Sequence, residues 1–113
     1  MAIPSGSGTE VLKRVSGNAL SAAWTYLITG VANHIYTVLS INVCETAGNA
    51  EDISISVETG GVELKIVSNV SLPAEGTFVY TDKLVLTGTD KLQIYNTAGN
   101  VDWYVSYIDQ DWT

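Results

Sequence analysis

Apolar and polar side chains alternate with period two along most of the chain, as they do in strands with one face in a core and the other outside it. Ile35, Leu39, Ile41 and Val43 fall on one face of a long segment, with Tyr36, Ser40, Asn42 and Cys44 on the other. Ile53, Ile55 and Val57 alternate with Ser54 and Ser56, and after Gly60-Gly61 the pattern resumes as Val62, Leu64 and Ile66 against Glu63 and Lys65. Leu84 and Leu86, then Leu92 and Ile94, form two shorter runs. The last run sets Val101, Trp103, Val105 and Tyr107 against Asp102, Tyr104 and Ser106. Residues 11–16 and 24–29 also read as strands, and residues 17–23 are the one weakly helical stretch.

The runs are separated by turn residues. Gly48-Asn49, Gly60-Gly61, Pro73, Gly76, Gly88 and Gly99-Asn100 supply positive-φ or fixed-φ corners, and Thr59-Gly60-Gly61 between two alternating runs is the clearest hairpin signal. About eight strands at short spacing predict an all-β protein, a single-domain antiparallel β-sandwich of jelly-roll-like form. Met1 to Gly8, rich in Gly and Ser, lacks the basic start and apolar stretch of a signal peptide. The expected organisation is a flexible N-terminal arm over residues 1–10 and a sandwich over 11–113. Thr46-Ala47-Gly48-Asn49 recurs as Thr97-Ala98-Gly99-Asn100, and Thr81-Asp82-Lys83-Leu84 as Thr89-Asp90-Lys91-Leu92. With no similarity beyond these short stretches, they read as reuse of turn and strand-entry residues rather than as a duplication.

Composition narrows the class. The length of 113 residues suits one domain, and 46% hydrophobic against 15% charged residues argues against disorder. Twelve acidic and five basic residues leave a net charge of −7, which repels phosphate and argues against a nucleic-acid partner. No apolar run approaches the ~20 residues of a membrane helix, so no membrane partner is expected. Val67, Val70, Val79 and Val85 add apolar side chains beyond the expected core stripe. Apolar residues on both faces of a strand imply cover on both faces, and in so small a domain a symmetric homo-oligomer supplies it.

Candidate chemistry is sparse. His34 is the single histidine, and no Gly-x-Ser-x-Gly elbow accompanies it. A hydrolase would require His34 beside a nucleophile and a carboxylate in one cleft. Cys44, the single cysteine, has no disulfide partner within the chain, and Glu45 beside it disfavours a thiolate. Asp109-Gln110-Asp111 and Glu51-Asp52 offer hard oxygen ligands, but no calcium-loop motif surrounds them. No catalytic residue, metal or cofactor is therefore expected. The three tryptophans and six tyrosines are more informative. Trp24 and Trp103 fit core or core-margin positions, whereas Trp112, near the chain end, either packs against a neighbour or folds back onto its own sheet. The candidate partner contacts are Ile3, Pro4, Val11, Tyr95, Tyr104 and Trp112.

Several segments resemble small virion proteins of tailed bacteriophages. The segment running from His34 to Thr46 resembles one of their long strands, and Ile66 to Thr77, with Leu72-Pro73-Ala74-Glu75-Gly76 at its turn, looks like one of their corners. Asp82-Lys83-Leu84-Val85-Leu86, then residues 88–94, follow in the same order, and residues 101–108 match a closing strand. The likeness covers roughly residues 33–109; residues 1–30 and the ending Asp109 to Thr113 depart from it. It implies a β-sandwich without catalytic residues, in the capsid cement (decoration) proteins or in tail and fibre parts. The expectation is a phage capsid cement protein, made in the host cytoplasm and carried on the outer surface of the virion. It would be a homotrimer bridging subunits of the major capsid protein, with its arm ordering on the shell. The alternative is a tail or fibre domain binding host-surface glycan. Trp24, Trp103 or Tyr95 grouped on an open, solvent-facing surface would favour that alternative.

Overall fold

A computed structural model of the chain describes residues 9–19, 23–98 and 100–112. They form nine strands: β1 (Thr9–Ala19), β2 (Ala23–Thr29), β3 (His34–Glu45), β4 (Glu51–Thr59), β5 (Val62–Leu72), β6 (Thr77–Tyr80), β7 (Leu84–Thr87), β8 (Lys91–Asn96) and β9 (Val101–Asp111). Every pairing is antiparallel. One sheet has the order β1-β9-β3-β6, with β7 also on β3, and the other β2-β8-β4-β5. Apart from the β4–β5 hairpin and the β6–β7 step, each connection passes from one sheet to the other, which is the winding of a jelly roll.

The expected eight strands become nine because the strand along the free edge of β3 is interrupted. β6 pairs with residues 41–44 of β3 and β7 with residues 35–38, leaving residues 81–83 as a break between them. Among the described residues β1 includes Thr9 and Glu10, and the stretch expected to be weakly helical carries it on to Ala19. Gly60 and Gly61, at φ 58° and 81°, close the predicted hairpin, which permits the tight two-residue turn between Thr59 and Val62.

One alternation differs from expectation. The register of β3 against β9 slips between Val38 and Ser40, so Leu39 is a β-bulge. An extra residue shifts the phase by one. Tyr36 and Val38 before it and Ile41 and Val43 after it therefore all reach the core, while Ile35 and Leu39 do not. The core comprises these side chains with Ile53, Ile55, Leu72, Leu86, Leu92, Ile94, Val101 and Val105, all 0–1% exposed except Tyr36 at 4%.

Trp103 is buried in the same core. Its ring lies along the inner side of β1, where a Cβ on Gly17 would come within 2.8 Å of Cζ2. The edge strand accommodates the indole by having no side chain there. Gly17→Ala should destabilise the fold by about 1–3 kcal/mol through overpacking, read from urea unfolding. A change within about 0.5 kcal/mol, the usual range for a surface position, would contradict this packing.

Candidate functional site

The outer face of the β1-β9-β3 sheet sets several exposed apolar side chains among polar ones. With the inward positions of β9 occupied by Val101, Trp103 and Val105, residues 102, 104, 106 and 108 point outward. The registers then align rows across the sheet. Leu12, Ile108, Thr37 and Val85 form one row, and Ser16, Tyr104, Asn42 and Val79 another, each about 14 Å wide. Leu12 is 72%, Val85 61% and Val79 52% exposed, and none of the described residues covers them. Between the rows, Leu12, Arg14, Leu39, Tyr104 and Ser106 line a depression of about 470 Å³. Beside it, Ser16, Asn42, Cys44, Asp102 and Tyr104 line another of about 400 Å³. The Arg14 guanidinium lies 5.8 Å from the Tyr104 ring centroid and fixes the aromatic at the border of the two.

The predicted contact residues do not converge. Tyr104 lies in the patch just described. Val11 shares the opposite face of β1 with Val15, is 44% exposed and sits near the strand's start. Tyr95 lies on the other sheet, where its ring meets Trp24 at 5.3 Å between centroids. The half-buried Trp112 follows β9, its backbone N–H donating to the Asn33 carbonyl at 2.9 Å. Ile3 and Pro4 lie outside the described residues, as does most of the expected arm. Val79 and Val85 were legible as surplus apolar positions. Leu12 and Leu39 were missed: Val11-Leu12 is apolar on both parities, and Leu39 reaches the outside only through the bulge.

His34 sits at the start of β3 between two carboxylates. Its Nδ1 is 2.8 Å from Asp109 Oδ1 and its Nε2 3.5 Å from Asp111 Oδ1. Lys13 Nζ donates to the other Asp109 oxygen at 2.9 Å. The Tyr36 ring stacks on the imidazole at 5.8 Å. This cluster ties β1, β9 and β3 together at one end. Cys44 stands at the other end of β3, so the two rare side chains are not combined. The hydrogen bond to Asp109 is the main cause of the raised Lys13 pKa. Burial alone would push Asp109 up, but the bonds from Lys13 and His34 outweigh it and hold the carboxyl below its ordinary value.

The other acidic pair lies at the opposite end. Glu51 is buried, and this burial, with Glu45 nearby, raises its pKa. Asp52 accepts the Ser71 hydroxyl at 3.4 Å. Glu45, 1% exposed, accepts backbone N–H bonds from Ala47, Gly48, Asn49 and Glu75 at 2.8–3.1 Å, pinning two loops with one carboxylate. The Glu75 bond is the largest cause of its lowered pKa. The repeated Thr-Ala-Gly-Asn turns meet at this end, where Thr46 N–H and Oγ1 both donate to the Asn100 carbonyl.

No family model and no curated protein matches the sequence. Solved structures do match in fold. A subunit of the disulfide-linked pili of Bacillus endospore appendages aligns over 100% of this chain and 97% of its own, at 18% identity and a TM-score of 0.54. Infectious bursal virus derived T=1 particles align over 97% of this chain at 13% identity and a TM-score of 0.58. The VP2 subviral particle of infectious bursal disease virus aligns over 90%, at 11% identity and a TM-score of 0.55. This chain spans about a third (33%) of each of those two viral chains. At these identities the likeness establishes the antiparallel β-sandwich fold.

The Asp109 cluster makes a pH-dependent prediction. A carboxyl held below its ordinary value of 3.8 contributes stability that is complete above that pH and is lost as pH falls through the folded value. Asp109→Asn should cost about 1–3 kcal/mol at neutral pH, and the cost should shrink toward about pH 3. Urea titrations at both pH values check it. An equal penalty at both would show that the charge is not what matters.

Proposed function

We propose that this chain is a structural subunit that works by binding energy rather than by catalysis, and that the outer face of the β1-β9-β3 sheet joins it to neighbouring subunits. The observation that carries this reading is the pair of outward rows with Leu12, Val79 and Val85 in the open. The sheet already buries its inner face, so these side chains stabilise nothing within the chain. Covering each contributes about 1.5–3 kcal/mol, and the gain multiplies when several copies act together.

Within this class, the reading we favour is a capsid cement protein of a tailed phage, a trimer on the outer surface of the virion that bridges subunits of the major capsid protein. The resemblance over residues 33–109 and the jelly roll shared with viral VP2 support it. The charge of −7 suits a protein that stays soluble before assembly and avoids packaged nucleic acid. A filament subunit is the second reading, favoured by the near-complete alignment of both chains with the spore pilus protein. The covalent linkage named for those pili does not transfer simply. One cysteine per chain joins two copies at most, so Cys44 alone cannot link a continuous series.

Leu12→Glu combined with Val85→Glu should abolish self-association and attachment to shells while leaving the melting temperature of the isolated chain within a few degrees. Light scattering and electron microscopy of the purified protein read the outcome and separate a closed trimer from a filament. Assembly unchanged by the two charges would overturn the assignment of this face.

A further inference from the structure

We propose that the outer face of the second sheet, β2-β8-β4-β5, is a binding platform for a saccharide of β-linked pyranose units. This goes beyond the assembly role and uses the face that role leaves open. The outward positions of this sheet carry aromatic and polar side chains rather than aliphatic ones. Trp24 and Tyr26 stand two residues apart on the edge strand β2, about 7 Å along the backbone, and are 38% and 52% exposed. Tyr95 backs Trp24 with its ring tilted by 52°. Across β8 from them, β4 turns Ser54 and Ser56 to the same side, with Asp52 and Glu58 further along the strand. Ser54 and Ser56 are 2% and 0% exposed, and Gln93 donates to Ser56 Oγ at 3.0 Å. Small, hydrogen-bonded residues at the centre keep the floor low and let the aromatic rings define the surface.

Two cations show how the rings are presented. Lys65 Nζ lies 5.4 Å from the Trp24 ring centroid, and Lys91 Nζ 5.1 Å from that of Tyr26. Each amine covers one ring face, so these faces attract electropositive groups, and a ligand stacking there takes the place of a lysine. A pyranose with equatorial substituents offers such a group, the axial C–H bonds of its flat face, which the negative face of an aromatic ring attracts. The two lysines, on flexible stems, can move aside and donate to the hydroxyl rim. Trp24 and Tyr26 in line along one strand provide two successive stacking positions. A protein partner would be better served by the Leu12-Ile108-Val85 row of the first sheet. Trp103, the other tryptophan considered for such a surface, is in the core and takes no part.

The test is calorimetric titration of the full chain with cellotetraose and, separately, with chitotetraose. Saturable binding of at least one is expected at up to about 10 mM ligand. Trp24→Ala should weaken it at least about tenfold. Tyr26→Ala, at a more exposed side chain, should weaken it as well and keeps the test open if Trp24→Ala fails to fold. No heat with either tetrasaccharide, or binding indifferent to both substitutions, overturns the proposal. So does a smaller assembled mass for Tyr26→Ala with no change in sugar binding, since that would make the face a protein contact.

Discussion

Strand β9 is the element on which the rest of this sandwich depends. All eleven of its residues pair with β1 on one side and with β3 on the other, so the two ends of the described chain close the same sheet. Its alternation decides what each face of that sheet presents. Val101, Trp103 and Val105 point into the core, and their neighbours in β1 and β3 must then follow the same parity. Gly17 gives way to the indole of Trp103, and the bulge at Leu39 restores the phase of β3 so that Tyr36 and Val38 also turn inward. At one end the Asp109 carboxylate binds the three strands together through Lys13 and His34, and at the other Glu45 gathers the N–H groups of two loops.

The same parity places Leu12, Ile108 and Val85 in a row on the outside. A two-layer sandwich has one core, and these apolar side chains, turned away from it, find no packing partner among the described residues. The two outer faces differ in kind. The first sheet shows Leu12, Val85 and Val79 with shallow depressions between polar neighbours, which suit burial against another protein surface. The second shows aromatic rings with lysine amines over them, beside buried serines. A subunit with one adhesive face and one polar, aromatic face can be held in a larger structure and still present a surface outward.

Much of the fold was legible in the chain. The inward stripes Ile53-Ile55-Val57, Leu92-Ile94 and Val101-Trp103-Val105 follow from period two alone, and Gly60-Gly61 announced its turn. What escaped was set by tertiary context. A bulge at Leu39 leaves no mark in a run that remains apolar on either side of it, so the inward turn of Tyr36 was unreadable. The break between β6 and β7 depends on how residues 81–83 meet the edge of β3. Glu45 ends an alternating run where an acid is ordinary, and its burial becomes sensible only once the loop N–H groups converge on it. The functional surfaces were legible in fragments. Val79 and Val85 stood out as surplus and Trp24 and Tyr95 as aromatic, but their distribution between two opposite faces needed the registers.

The central claim is that the outer face of the β1-β9-β3 sheet is the surface covered in the assembled state. Hydroxyl-radical footprinting of the assembled particle against the dissociated chain tests it most directly. The account predicts strong protection of Leu12, Tyr104, Val79 and Val85 on assembly, with Trp24 and Tyr26 labelled equally in both states. Protection confined to Trp24 and Tyr26, with Leu12 and Val85 still open, would contradict it.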